Sequence, residues 1–321
     1  MYYVQAVSIM KHSVATSLRL AVLLVGTLLS VVTLCGTPAF AETLSISPPK
    51  FDLFGSPGDV VSEKIKVRND STSALNYDTS VADFTANGDL GGVNINDDPK
   101  APTSNYSLAK WVTVQPIKFS VAPGQEKILN VIIKIPANAE PGGHYASVQL
   151  SLAGAPTAGS GASVVSKIDS LILLRVSGNL TEKLSLDSFT TDNNYYPNGP
   201  VNFLIRAKNQ GNVHVAPTGT IIITDMFGRK TQELDFSGAN VLPDSDRLIK
   251  VLWDQKGMFG RYTAQLVATY GQTRQPLSAS VSFVIFPPVL IAVIIGILLL
   301  TIILISQRKQ LKKMIHSLSS D

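Results

Sequence analysis

Val61-Ser62-Glu63-Lys64-Ile65-Lys66-Val67-Arg68 runs through Asn69-Asp70-Ser71-Thr72-Ser73 into Leu75-Asn76-Tyr77-Asp78-Thr79-Ser80-Val81. The first stretch places Val61, Ile65 and Val67 on one side and Lys64, Lys66 and Arg68 on the other. That is the period of two of a half-buried strand. The middle stretch supplies side chains that bond their own backbone and so turn the chain. Leu75, Tyr77, Thr79 and Val81 then repeat the parity, which predicts a return strand. The same grammar continues outward. A Gly, Asn and Asp-rich excursion covers Asn87 to Asp98, and strands are predicted at Lys110 to Val114 and Ile117 to Val121. Pro123-Gly124 opens Ile128 to Ile135, and Pro141-Gly142-Gly143 opens Tyr145 to Leu152. The low-complexity stretch Gly154 to Ala162 reads as a long hairpin loop whose partner strand is Val164 to Val176.

Near Ser177-Gly178-Asn179 the pattern restarts, with strands expected at Val201 to Ala207, Thr220 to Thr224, Leu248 to Trp253, Tyr262 to Thr269 and Ala279 to Phe286. Short strands separated by turn signals, with no helical stretches between them, argue for an all-β fold: two tandem immunoglobulin-like β-sandwiches. Gly143-His144-Tyr145 and Gly260-Arg261-Tyr262 precede equivalent late strands. Each tyrosine is expected to bury its ring and bond its hydroxyl to upstream backbone.

The two ends of the 321-residue chain are of another kind. Lys11 and Arg19 precede the apolar run Leu20 to Leu34, and Ala39-Phe40-Ala41 follows, the order of a secretory signal with cleavage before Glu42. Met10 gives a more ordinary signal length than Met1. A lipidated Cys35 is the rival reading, disfavoured by Leu34 where a small residue is expected. Val284 to Ile305 carries no charge, and about 22 residues at ~1.5 Å each cross a hydrocarbon core of ~30 Å. Arg308, Lys309, Lys312 and Lys313 follow it as the cationic flank that stays cytoplasmic. Leu311, Met314, Ile315 and Leu318 share one helical face, which fits a tail lying along the inner leaflet as well as a solvated stop-transfer tail. The expected division is 1–41 signal peptide, 42–177 first sandwich, 178–282 second sandwich, 283–306 transmembrane helix and 307–321 cytoplasmic tail, with the body extracytoplasmic.

That division relocates the charge. The whole chain is +4, but residues 1–41 hold +2 and residues 283–321 hold +3, leaving the 241-residue body at −1. A body without excess cation has nothing to cluster against a phosphate backbone, so nucleic acid is not an expected partner. With Cys35 in the signal, the body has no cysteine, and its stability must come from packed cores.

Several of these motifs resemble a known family. Pro57-Gly58, Val67-Arg68-Asn69-Asp70-Ser71, Trp111-Val112, Val121-Ala122-Pro123-Gly124, Ile133-Lys134-Ile135-Pro136 and Pro141-Gly142-Gly143-His144-Tyr145 are similar to the first extracellular domain of WxL-interacting proteins. The similarity covers roughly residues 43 to 176, and the second domain, with Asn209-Gln210-Gly211-Asn212-Val213-His214, does not follow the family's pattern. The resemblance implies a bacterial surface protein with a single membrane span, whose first domain binds peptidoglycan and whose second binds a partner protein.

No catalytic motif is present: no G-x-S-x-G, no Walker sequence and no G-x-G-x-x-G between strand and helix. His144 and His214 are the body's two histidines, and the acids cluster in turns, so no cofactor, metal or catalytic residue is assigned. Asn94 to Asp98, Asp192 to Asn194 and Asp244 to Asp246 could offer oxygens to calcium but are read as plain turns. Both histidines are expected at loops or strand edges. Trp111 and Trp253 are expected in the cores, and Tyr195-Tyr196 in a turn packing one ring. Asn69, Asn105 and Asn179 fit the N-glycosylation pattern, which a bacterial protein would not use. The expectation is a binding protein whose sheet edges or end loops contact wall glycan or a partner's strand. A structural spacer of an envelope complex is the first alternative and a hydrolase the second.

Overall fold

The computed structural model describes residues 44–98, 104–153 and 167–318. Ala39, Ala41, Glu42, Cys35 and the loop Gly154 to Ala162 lie outside them.

The first sandwich is built from β1 (Leu44–Ser47), β2 (Lys50–Gly55), β3 (Val60–Asn69), β4 (Leu75–Asn87), β5 (Gly92–Asn96), β6 (Val112–Gln115), β7 (Lys118–Val121), β8 (Glu126–Lys134), β9 (Gly142–Leu152) and β10 (Lys167–Val176). One sheet runs β1-β3-β8-β6. The other runs β2-β10-β9-β4-β5, with β7 also on β4. Ile65, Val67, Leu129, Val131 and Ile133 of the first face Val148, Leu150, Ile172 and Leu174 of the second, all buried. Each such side chain contributes about 1.5–3 kcal/mol.

The return strand is real, but it does not return to its neighbour. β3 pairs with β1 and β8, while β4 pairs with β9, β5 and β7 in the opposite sheet. The corner between them is held by Asn69, fully buried. Its Nδ2 donates to the carbonyls of Ser73 (2.7 Å) and Val121 (2.9 Å), and its Oδ1 accepts the amide of Ser71 (3.0 Å). An amide buried this way ties the turn to the other sheet's β7, which local turn propensity does not specify. The excursion after Asn87 is likewise no loop, since β5 folds back on β4 with Asn87 opposite Gly92. β9 and β10 pair antiparallel from Ser151 opposite Lys167, and β10 adds β2 in parallel.

The second sandwich comprises β11 (Leu184–Thr191), β12 (Tyr195–Tyr196), β13 (Val201–Asn209), β14 (Thr218–Thr224), β15 (Lys230–Ser237), β16 (Asp246–Trp253), β17 (Gly260–Tyr270) and β18 (Gln275–Ile285). Its sheets run β11-β13-β16 and β12-β18-β17-β14-β15. Trp253 packs with Phe203, Tyr262 and Phe283 at its centre. Of the pair Tyr195-Tyr196, only Tyr196 is buried. Burial and the Asp192 carboxylate it donates to push its hydroxyl up to about 12.

The corner of the first sandwich recurs in the second. Asn209 ends β13 as Asn69 ends β3. Its Nδ2 donates to Val213 O and Val241 O, both at 2.8 Å, and its Oδ1 accepts Gly211 N at 2.8 Å. Asn209→Ala strands two buried carbonyls and an amide, so it is expected to cost about 2–4 kcal/mol in chemical denaturation. Asn209→Asp, which keeps only the acceptor, should recover little.

β18 ends at Ile285, and an α-helix, Pro288–Leu318, follows after Phe286-Pro287. Its residues Ile291–Arg308 have a mean hydropathy of 2.4 and none is buried against the sandwiches, so it is long and apolar enough to cross a membrane. Lys309, Lys312 and Lys313 fall within the same continuous helix.

Candidate functional site

Asp83 of β4 creates the site without lining it. Its Oδ1 accepts the amides of Leu108 (2.8 Å) and Ala109 (2.7 Å), and its Oδ2 accepts the Ser107 hydroxyl. A carboxylate on these free amides caps the single 3₁₀ turn Ala109–Trp111, and the fully buried Leu108 anchors the turn in the core. Trp111 follows at its end, half-buried, one side of its indole against the core.

Behind Trp111 lies His144 of β9. The two rings are 4.4 Å apart. His144 Nδ1 faces Ser107 O at 3.1 Å and Nε2 faces Glu140 O at 3.0 Å. One buried imidazole thus braces two separate backbone segments, which form opposite walls of an open cleft of about 390 Å³ at the end of the first sandwich. Ser104, Asn105, Lys110, Asn138 and Glu140, with the apolar Pro136 and Ala139, complete the lining. The cleft offers an indole face ringed by hydroxyl, amide, ammonium and carboxylate groups, with the two charges opposed in sign. This chemistry suits a neutral polyol or amide-bearing ligand and does not suit a polyanion. Glycoside hydrolysis by paired carboxylates needs two acids about 5–9.5 Å apart, and among the described lining residues Glu140 alone is acidic.

Both histidines are buried: His144 lies within β9 and not in a loop, whereas His214 lies, as expected, in the loop between β13 and β14. His214, 1% exposed in its side chain, sits where the two sandwiches meet. Its Nε2 lies 3.0 Å from Asp52 Oδ1 and its Nδ1 lies 3.3 Å from the Tyr145 hydroxyl. The carboxylate requires the proton on Nε2, and on the neutral ring Nδ1 is then the acceptor for the phenol. Tyr145 buries its ring as expected, but it bonds across the interface and not to upstream backbone. Tyr262 of the second sandwich does bond upstream, to Phe259 O at 3.2 Å. Burial pushes the Tyr145 hydroxyl far above the usual phenol range.

The Gly142-Gly143 pair permits the approach. Gly142 has φ +144° and a Cβ there would lie 2.9 Å from Asn212 O, while a Cβ on Gly143 would lie 1.9 Å from the Tyr145 hydroxyl. Gly143 N donates to Asn212 O at 2.8 Å. Arg175 donates to Glu182 (3.1 Å) and to His214 O (3.3 Å), bridging the same seam. On the far side the β4–β5 tip docks on β16: Asp89 O accepts Leu248 N at 2.6 Å, and its carboxylate takes Arg206, which also holds Asp246. Asp244 accepts the Tyr106 hydroxyl at 3.0 Å. The acids of the three turn clusters are thus partly engaged by the protein's own donors, including Asp97 with Lys167 and Asp192 with Tyr196 and Asn202.

The hydrogen bond from His214, outweighing the cost of burial, holds the Asp52 carboxyl below its ordinary range. A depressed acid contributes stability that is fully present above its unfolded value, about pH 4, and is lost as pH falls through the folded one. The interface should therefore loosen in acid below about pH 4. Asp52→Asn should flatten that dependence in melting curves collected between pH 3 and 6.

No family model matches the chain, and no curated protein matches it. Among solved structures it is similar to the class 5 fimbriae chaperone CfaA (15% identity, 75% of this chain and 99% of that one, TM-score 0.39). It is also similar to the Escherichia coli chaperone DraB (12%, 76% and 97%, TM-score 0.35) and the Pseudomonas aeruginosa CupB2 chaperone (11%, 74% and 98%, TM-score 0.33). TM-scores this low say nothing about what the chain binds.

Sequence reading singles out Trp111 and His144 but does not bring them together, and it passes over Asp83, Lys110, Asn138 and Glu140. Only the Gly143-His144-Tyr145 triplet signals that this stretch is special.

Proposed function

We propose that this chain is a membrane-anchored surface protein that acts by binding and not by catalysis, with the Trp111 cleft of the first sandwich taking the glycan of cell-wall peptidoglycan. The observation that carries this reading is the indole held open by the His144 brace beside amide, hydroxyl and ammonium groups. A sugar ring presents C–H groups to an aromatic face and hydroxyl and N-acetyl groups to polar rims, and the stem-peptide carboxylates of peptidoglycan suit Lys110. The resemblance of residues 43 to 176 to WxL-interacting proteins supports the same ligand. The basic flank Arg308, Lys309, Lys312 and Lys313 favours a cytoplasmic tail and an extracytoplasmic body.

A protein partner is a second reading, favoured by one observation. β15, Lys230–Ser237, closes its sheet with an exposed edge that no other strand among the described residues pairs, and that edge could accept a strand by augmentation.

Cosedimentation of the detergent-solubilised full chain with purified peptidoglycan tests the first reading. Saturable retention, displaced by soluble muropeptide, is expected. Absence of retention would contradict it.

A further inference from the structure

The membrane-proximal end of the second sandwich carries apolar surface that neither core uses. At that end, β12, β18, β17, β14 and the β14–β15 turn lie side by side: Tyr196 is opposite Ile285, Ile285 opposite Gly260, and Thr224 opposite Thr263 and Lys230. Five strands make a rim roughly 19 Å wide at ~4.8 Å per strand. Along it Tyr195, Met226, Phe227 and Phe259 are exposed, Phe227 at 72%. They form one patch. Met226 packs on Gly260, where a Cβ would lie 2.6 Å from its Cε. Phe259 and Phe286 rings lie 4.7 Å apart, and Tyr195 donates to Phe286 O at 2.7 Å.

The patch is presented rigidly. Asp225 Oδ1 accepts the amides of Phe227 and Arg229, both at 2.9 Å, and Gly228 adopts φ +77° to close the turn. Arg229 stands over the Phe227 ring at 5.2 Å, a charged head beside an apolar one. Aromatic and Met side chains beside Arg229, which is paired to Asp225, and Arg261 are the composition that settles at the headgroup level of a bilayer.

Continuity names the occupant. Only Phe286-Pro287 separates β18 from the helix, and two residues span at most ~7 Å. If the helix crosses a membrane, the β18 end of this rim is held at the membrane surface and the rest of the rim lies within about two to three strand spacings of it. We infer that the Tyr195, Met226, Phe227 and Phe259 rim rests in the headgroup layer of the bilayer, so that the body stands on the membrane at a fixed angle. The inference depends on the membrane-span reading above.

Nitroxide labels on single cysteines, in a Cys35→Ala full-length chain reconstituted in lipid nanodiscs, test it. Labels are placed at Phe227, at Leu298 in the helix and at Ile117, exposed on the first sandwich. Collision with oxygen favours lipid, and collision with a water-soluble nickel chelate favours solvent. The expected result is an oxygen-to-nickel ratio at 227 several-fold above that at 117, approaching the ratio at 298. A label at Phe259 should repeat it from the adjoining loop. If the label at 298 is nickel-accessible, the span reading fails. If 298 is in lipid but 227 resembles 117, the inference alone fails. Shielding of 227 from both reagents would place protein, such as a second copy, on the patch and also overturn it.

Discussion

Replacing His214 with alanine is expected to cost about 1–3 kcal/mol and to separate one unfolding transition into two. The imidazole is the only group in contact with both Asp52 and the Tyr145 hydroxyl among the described residues. Asp52 is half-exposed, so water recovers its carboxylate and little is lost there. The buried Tyr145 hydroxyl would lose the imidazole and keep only the His214 backbone contact, and the lost hydrogen bond costs about 0.5–1.5 kcal/mol. The edge-on ring contact at 5.6 Å adds about 0.5–1.5 kcal/mol. Loss of this clamp leaves the Gly143–Asn212 and Arg175 bonds on its own side and the Asp89 and Tyr106–Asp244 contacts on the other to couple the sandwiches. Calorimetry of the full chain should resolve the uncoupling as two peaks. Gly143→Ala should produce the same phenotype by a different route, because its Cβ would displace the Tyr145 hydroxyl. The double variant should then fall short of the sum of the two, since both act through one contact. A single sharp transition in His214→Ala would mean that the remaining seam contacts suffice to hold the domains together and would contradict the clamp.

Trp111→Ala is expected to weaken glycan binding by roughly thirtyfold, the equivalent of about 2 kcal/mol for an aromatic hot spot. The ring is the largest apolar side chain among the described residues lining the cleft, beside Pro136 and Ala139. Trp111→Phe should retain part of the affinity. Some stability is lost with the indole, because it also packs on His144 and the core, so affinity should be measured well below the melting temperature of the variant. Phe283→Leu, which loosens the second sandwich's own core, provides the comparison: comparable destabilisation with binding unchanged separates the two effects.

The strands were legible because alternation reports which face of a residue is buried, and Val61, Ile65 and Val67 report it cleanly. Partnership was not, because it is decided at long range. Nothing between Asn69 and Ser73 says that Val121, 52 residues on, will take the Asn69 amide and send β4 into the opposite sheet. The pattern of Asn87 to Asp98 looked like a loop because Gly88, Gly91 and the asparagines outnumber Val93 and Ile95, yet the tip is where Asp89 meets the second sandwich. His214 looked like a turn residue because it is one, and its burial comes from Asp52, 162 positions earlier. The cleft suffered in the same way: Asp83, Ser107 and His144 belong to three segments, and none carries a local signature of the others. The recurring corners at Asn69 and Asn209 were the one long-range regularity within reach of sequence, since in both an asparagine ends a strand and accepts an amide two residues later.

The chain contains two tryptophans, Trp111 in the cleft and Trp253 in the second core. Their indole N–H resonances can be followed separately while a soluble N-acetylated glycan fragment of peptidoglycan is added to the full chain. The account predicts that the Trp111 signal shifts saturably and the Trp253 signal stays in place. A saturable shift elsewhere in the spectrum with Trp111 unmoved, or no shift at all, would contradict it.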